Sequence, residues 1–121
     1  MLYPRPRSFR MNAALAAGDI AHLMIGDPQA CLDSAVSAVR QALAALGQAR
    51  PVCALAFADQ AWQYLFASRP DQLADTLQTE LGEIPLLGAY NLGQLARLPG
   101  ESLVRFYNQG LVIAIIGEQR T

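Results

Sequence analysis

Lysine is absent from this chain, and histidine occurs once, at His22. All nine basic residues are arginines, and ten carboxylates bring the net charge to −1, with a pI near 5.7. A nucleic-acid-binding domain carries a basic face and a high pI, so no nucleic-acid partner is expected. Cysteine occurs twice, at Cys31 and Cys53, without a CxxC spacing. A structural zinc site takes about four clustered ligands, so no metal and no cofactor is expected. No apolar run reaches the ~18 residues of a membrane span. No signal-peptide-like apolar stretch follows Arg5, Arg7 and Arg10. These absences point to a cytoplasmic protein with reduced thiols and no membrane contact.

Charged residues are also scarce, at 16%, whereas apolar residues make up 53%. That balance excludes a disordered chain, which has few apolar groups and a high net charge. It also leaves more apolar surface than a lone small domain usually carries, which points to a homo-oligomer or a separately encoded partner protein. The 121 residues fit one domain, 1–121. Residues 1–7, with Pro4 and Pro6, read as an extended arm.

Along the chain, Phe9, Met11, Ala13 and Leu15 share one parity, a period-two signal. Gly18-Asp19 reads as a tight turn before the short apolar run Ile20–Ile25, which together suggest an antiparallel hairpin. Asp27-Pro28 is a helix start: Asp27 caps the first turn, and Pro28 lacks only a hydrogen bond that would not form there. Leu32, Val36, Val39, Leu43 and Leu46 then recur at three- and four-residue spacing, with Asp33, Ser37, Arg40 and Gln41 off that stripe. Gly47 ends this helix in a left-handed conformation. Residues 51–58 (PVCALAFA) are an unbroken apolar run of strand length, expected to be central and covered on both faces.

The segment 59–67 reads either as a short helical turn or as a packed loop around Trp62, Leu65 and Phe66. Pro70 opens a second helix with Leu73, Ala74, Leu77 and Leu81 on one face and Asp71, Asp75 and Gln78 on another; Gly82 closes it. Residues 84–90 (IPLLGAY) read as a strand in which Gly88 marks a bulge or a close backbone approach. Residues 91–100 read as a loop with a possible extended segment. Residues 102–107 and 111–116 are two further strands, joined as a hairpin through Asn108-Gln109-Gly110. The order β-β-α-β-α-β-β-β has parallel grammar in the middle and antiparallel ends. It implies an α/β fold of the mixed α+β kind, with five to six strands in a mixed sheet and two main helices.

Single reactive groups do not assemble into a catalytic set. Cys31 lies near a helix start, which lowers thiol pKa values, but Asp27 is close and no histidine is adjacent. His22 sits among Ile20, Leu23, Met24 and Ile25 without an orienting carboxylate on its strand. Asp71 and Asp75 share a helical turn on a solvated face. Neither GK[ST] nor a GxGxxG opening a helix occurs. An enzyme is therefore not expected. What remains is a polar set at strand ends: Asp59 and Gln60, Tyr90, Asn91 and Gln94, and Tyr107, Asn108 and Gln109. Ligands of open α/β sheets bind beyond the carboxyl ends of parallel strands. Neutral amides and phenols there recognise a small molecule without catalysing a reaction.

The segment LGEIPLLGAYNLGQLARLPGES, followed by VRFYNQGLVIAII, resembles the C-terminal domain of the FIST family. Tyr3-Pro4, the Gly18-Asp19-Ile20 turn and the Val52–Phe57 strand match the family's earlier elements, so the likeness spans nearly the whole chain, most specifically residues 82–116. The family's glutamate position is Gln94 here, its His-Asn-x-Thr turn is Tyr107-Asn108-Gln109-Gly110, and its arginine-bearing motif has no counterpart around Asp59-Gln60-Ala61. The resemblance implies a stand-alone sensory domain of a signal-transduction system that binds small ligands, amino acids among them. The expected binding residues are Tyr90, Asn91, Gln94, Tyr107, Asn108, Gln109 and Asp59. The alternative is a non-catalytic interaction or dimerisation subunit whose ligand site has decayed.

Overall fold

The computed structural model describes residues 14, 16–20, 22, 26–97, 100 and 102–119. Within these, the first helix, α1, spans Pro28–Ala45, and its start follows from Asp27: the carboxylate accepts from the Gln29 N–H at 2.9 Å. Leu32, Ala35 and Val39 are its buried residues, while Asp33, Ser37, Arg40 and Gln41 are exposed. Gly47, at φ +60°, turns the chain out of the helix at a conformation that costs an L side chain strain.

Strand β1, Arg50–Asp59, is the middle of a three-stranded sheet ordered β2-β1-β5. Strand β2, Leu86–Asn91, runs parallel to it, and β5, Leu111–Glu118, antiparallel. Two short strands, β3 (Gln94–Ala96) and β4 (Arg105–Tyr107), form a separate antiparallel ribbon. Between β1 and β2 lie the six-residue helix α2, Gln60–Leu65, and helix α3, Gln72–Leu81. The chain therefore has a mixed α/β architecture with two main helices and, among the described residues, five strands. The 59–67 segment takes the helical alternative. Helix α3 begins at Gln72, two residues after Pro70, and Asp71 makes no side-chain cap bond there.

The core lies between one face of this sheet and the two long helices. Ala54, Ala56 and Ala58 of β1 pack with Leu32, Ala35 and Val39 of α1 and Leu73, Leu77 and Leu81 of α3, joined by Trp62 and Phe66. Each of the α3 leucines contributes about 1.5–3 kcal/mol by leaving water. Small residues in β1 allow the helices to sit close to the strand.

Two expectations are corrected. Strand β1 is not covered on both faces: its alanines are buried under the helices, but Phe57, on the other face, is 38% exposed. Every residue of the run is apolar, so its pattern carried no sign that only one face is covered. Residues 108–110 do not join a hairpin, because β4 pairs with β3 and β5 pairs with β1. The Gly110 carbonyl accepts the Asp59 N–H at 2.9 Å, which starts β5 along β1 instead. The expected N-terminal hairpin lies mostly outside the described residues. Its turn is described: Gly18 has φ +100°, the Asp19 N–H donates to the Ala16 carbonyl, and Ala16 N–H donates to the Asp19 carboxylate at 2.8 Å.

Candidate functional site at the carboxyl ends of β1 and β2

Asp59 is the last residue of β1, and register sets it beside Asn91, the last residue of β2. Its carboxylate is buried and accepts two N–H groups. Ala61 N–H donates at 2.8 Å and starts α2; Gly93 N–H donates at 3.1 Å and fixes the turn from β2 into β3. Gly93 takes φ +79°, and a Cβ there would collide with the Phe106 ring and come 3.0 Å from Asn108 Oδ1. The residue is glycine for both reasons.

Gln94 starts β3 and is only 7% exposed. Its Nε2 group donates to the Phe57 carbonyl at 2.8 Å, to the Gly110 carbonyl at 2.9 Å and, more weakly, to Asn91 Oδ1 at 3.3 Å. One side chain thus ties β1, β2 and β5 together at a single end. Tyr107 is its register partner in the ribbon. Gln109 holds φ +58° and offers its carbonyl to the Trp62 indole N–H at 2.9 Å. Among the described residues, no buried side-chain N or O lacks a hydrogen-bond partner.

Six of the seven residues expected at the site gather at this end: Asp59, Asn91 and Gln94 through a knot of side-chain hydrogen bonds, Gln109 through its carbonyl, Tyr107 through the register of the ribbon and Asn108 through its closeness to Gly93. Tyr90 is the exception. It shares a face with Ala58, the helix side of the sheet, whereas Asp59 and Asn91 sit on the other. There it lines a hollow of about 230 Å³ between β2 and α3, walled by Ala56, Ala58, Gly88, Ala74, Leu77 and their apolar neighbours. The hollow exists because small residues face α3. Gly88 lies so close to β1 that a Cβ would come 3.0 Å from the Ala56 carbonyl. From the sequence, Gly93 and the alanines of β1 have no part in the site, and Trp62 reads only as the centre of a short turn or packed loop. The alternation of small residues at Ala54, Ala56 and Ala58 is visible in the sequence, but in an all-apolar run it does not say which face is covered.

The remaining reactive groups lie elsewhere. Burial pushes the Cys31 thiol up, and the nearby Asp27 charge pushes it further, the opposite of what a nucleophile needs. A larger groove of about 560 Å³ follows the start of α3, with Arg69, Asp71 and Asp75 among its walls. Beside it, Arg40 binds Glu80 at 2.6 Å; the hydrogen bond from Arg40 holds the Glu80 carboxyl below its ordinary value against a partial desolvation cost. Among the described residues, no group of three or more His, Cys, Asp or Glu is placed to hold a metal ion, and no helix is long and apolar enough to cross a membrane. Comparison with family models, curated proteins and solved structures gave no match.

Proposed function

We propose that this domain is a non-catalytic sensor that takes a small, mainly apolar ligand into the hollow between β2 and α3. The observation that carries the reading is the position of Tyr90. Its phenol stands at the hollow, one residue before Asn91, which is tied to Gln94 and so to the knot. A ligand that moves Tyr90 pulls directly on the end of β2. The knot then passes the displacement to β5 and the ribbon. In this reading Tyr90 touches the ligand, and Asp59, Asn91, Gln94, Tyr107, Asn108 and Gln109 transmit its presence.

The size and lining of the hollow narrow the ligand. A 150 Å³ apolar cavity holds benzene, so about 230 Å³ accommodates roughly nine heavy atoms. No charged side chain lines it. An apolar amino acid fits with its side chain inside and its charged groups at the open mouth. A neutral aromatic of the size of indole fits whole. The resemblance to FIST C-terminal domains supports the same class of activity, sensing of amino acids and related metabolites. The raised Cys31 thiol supports a non-catalytic role.

The test is calorimetric titration and thermal unfolding with leucine, phenylalanine, tryptophan and indole. A ligand at a hundred times its Kd stabilises the fold by about 2.7 kcal/mol. Tyr90→Phe should weaken binding, and Ala74→Leu, on the exposed side of α3, should fill the hollow and abolish it. Absence of heat and of stabilisation at millimolar concentration across the panel overturns the proposal.

A further inference from the structure

The sheet face opposite the helices is an apolar grid with an internal pattern. Register places Ala114, Leu55 and Leu87 in one row across β5, β1 and β2, and Val112, Phe57 and Ala89 in the next. Cys53 and Ile116 continue it toward the start of β1. Leu87 is 71% exposed, Ile116 51% and Phe57 38%. All eight residues are uncharged. The ionic groups at that end, Arg50 and Glu118, are paired with each other. The row order is asymmetric: in the first row the large outer side chain is on β2 and the small one on β5, and in the second row the sizes are reversed.

We infer that this face pairs with the same face of a second copy of the chain, about a twofold axis parallel to β1. Such an axis sets β2 of one copy against β5 of the other. Leu87 then meets Ala114 of the second copy, and Val112 meets Ala89, so large fits against small on both flanks. Leu55 and Phe57 meet their own counterparts along the axis. Face-to-face sheets pack about 10 Å apart with their strands nearly aligned, which this arrangement satisfies. Between the buried Asp59 at one end and the mutually paired Arg50 and Glu118 at the other, the grid carries no charge, so it offers a different protein little electrostatic complement by which to be selected. The accessible surface on the grid is on the order of 500 Å² per copy, so the pair buries on the order of 1,000 Å², the lower bound of a specific interface. The dimer is therefore weak and reversible.

Sedimentation equilibrium of the full chain from about 1 to 500 µM tests this, a range that brackets the micromolar affinities of small interfaces. Wild type should show a monomer–dimer equilibrium. Leu87→Glu should raise Kd by about tenfold or more, because it buries an unpaired charge. Leu95→Glu, equally exposed at 75% but on the ribbon, should leave Kd unchanged. Ala114→Leu should also weaken pairing by overfilling its site. The double variant Leu87→Ala with Ala114→Leu should restore pairing, since it only exchanges large and small across the axis. Circular dichroism confirms the fold of each variant. A monomer throughout the range, a dimer indifferent to Leu87→Glu, or a double variant no better than Ala114→Leu overturns the inference.

Discussion

Replacing Gln94 with glutamate changes one atom of the knot from donor to acceptor, and the consequences are calculable. The wild-type amide directs Nε2 at two backbone carbonyls, Phe57 and Gly110, at 2.8 and 2.9 Å. A protonated glutamic acid has one O–H in place of two N–H groups, so Gln94→Glu loses about one net hydrogen bond, roughly 1 kcal/mol, at low pH. An ionised carboxylate has no donor. It would face two carbonyl oxygens beside the buried Asp59 carboxylate, so its folded-state pKa should rise, by about two units for this degree of burial and like charge. Each unit corresponds to about 1.36 kcal/mol. A group whose pKa is raised on folding contributes stability that is complete below its unfolded value and is lost as pH rises through its folded value. The penalty should therefore be about 1 kcal/mol near pH 4 and grow toward about 4 kcal/mol by pH 8, across a window that starts near the ordinary glutamate value of about 4.3. Urea unfolding of wild type and Gln94→Glu at one-unit intervals of pH measures the difference directly. A penalty that is flat in pH, or below about 0.5 kcal/mol at pH 8, would refute the claim that Gln94 acts as a buried donor.

Two further outcomes follow from the same geometry. Gly93→Ala should destabilise by about 1–3 kcal/mol in denaturant melts, since φ +79° and the Phe106 ring both oppose a Cβ; wild-type stability in that variant would mean the turn is placed differently. Cys31, measured in Cys53→Ser, should alkylate more slowly than a free thiol at pH 8 and accelerate only at higher pH, because burial and Asp27 raise its pKa; a faster rate than free cysteine would reopen a catalytic role.

Local signals placed the elements of this protein well. Asp27-Pro28 and Gly47 bracket α1 because capping and left-handed termination depend on neighbouring residues only. Gly82, itself the cap of α3, also takes a positive φ, +64°. The polar residues at the strand ends were legible too, since strands β1 and β2 had the grammar of a parallel pair, and Asp59 and Asn91 do align. Their roles were not legible. Hydrogen-bond capacity in a sequence is the same whether a ligand or the backbone will use it, and here Phe57, Gly110 and Gly93 use it.

Strand partnering also lay beyond local reading. Asn108-Gln109-Gly110 has the composition of a hairpin turn, yet β5 gains eight residues of pairing along β1, far more than the three-residue β4 offers. Long-range pairing won over the local turn for that reason. The sequence by itself determined where α1 starts and stops, where α3 stops, and which polar groups end β1 and β2, because these rest on backbone conformation and on periods of a few residues. The tertiary structure alone decided which face of an all-apolar strand is covered, on which side of the sheet Tyr90 stands, and that Gln94 binds its own chain. Each of these depends on what a distant segment brings into contact, and no periodicity in the sequence encodes that.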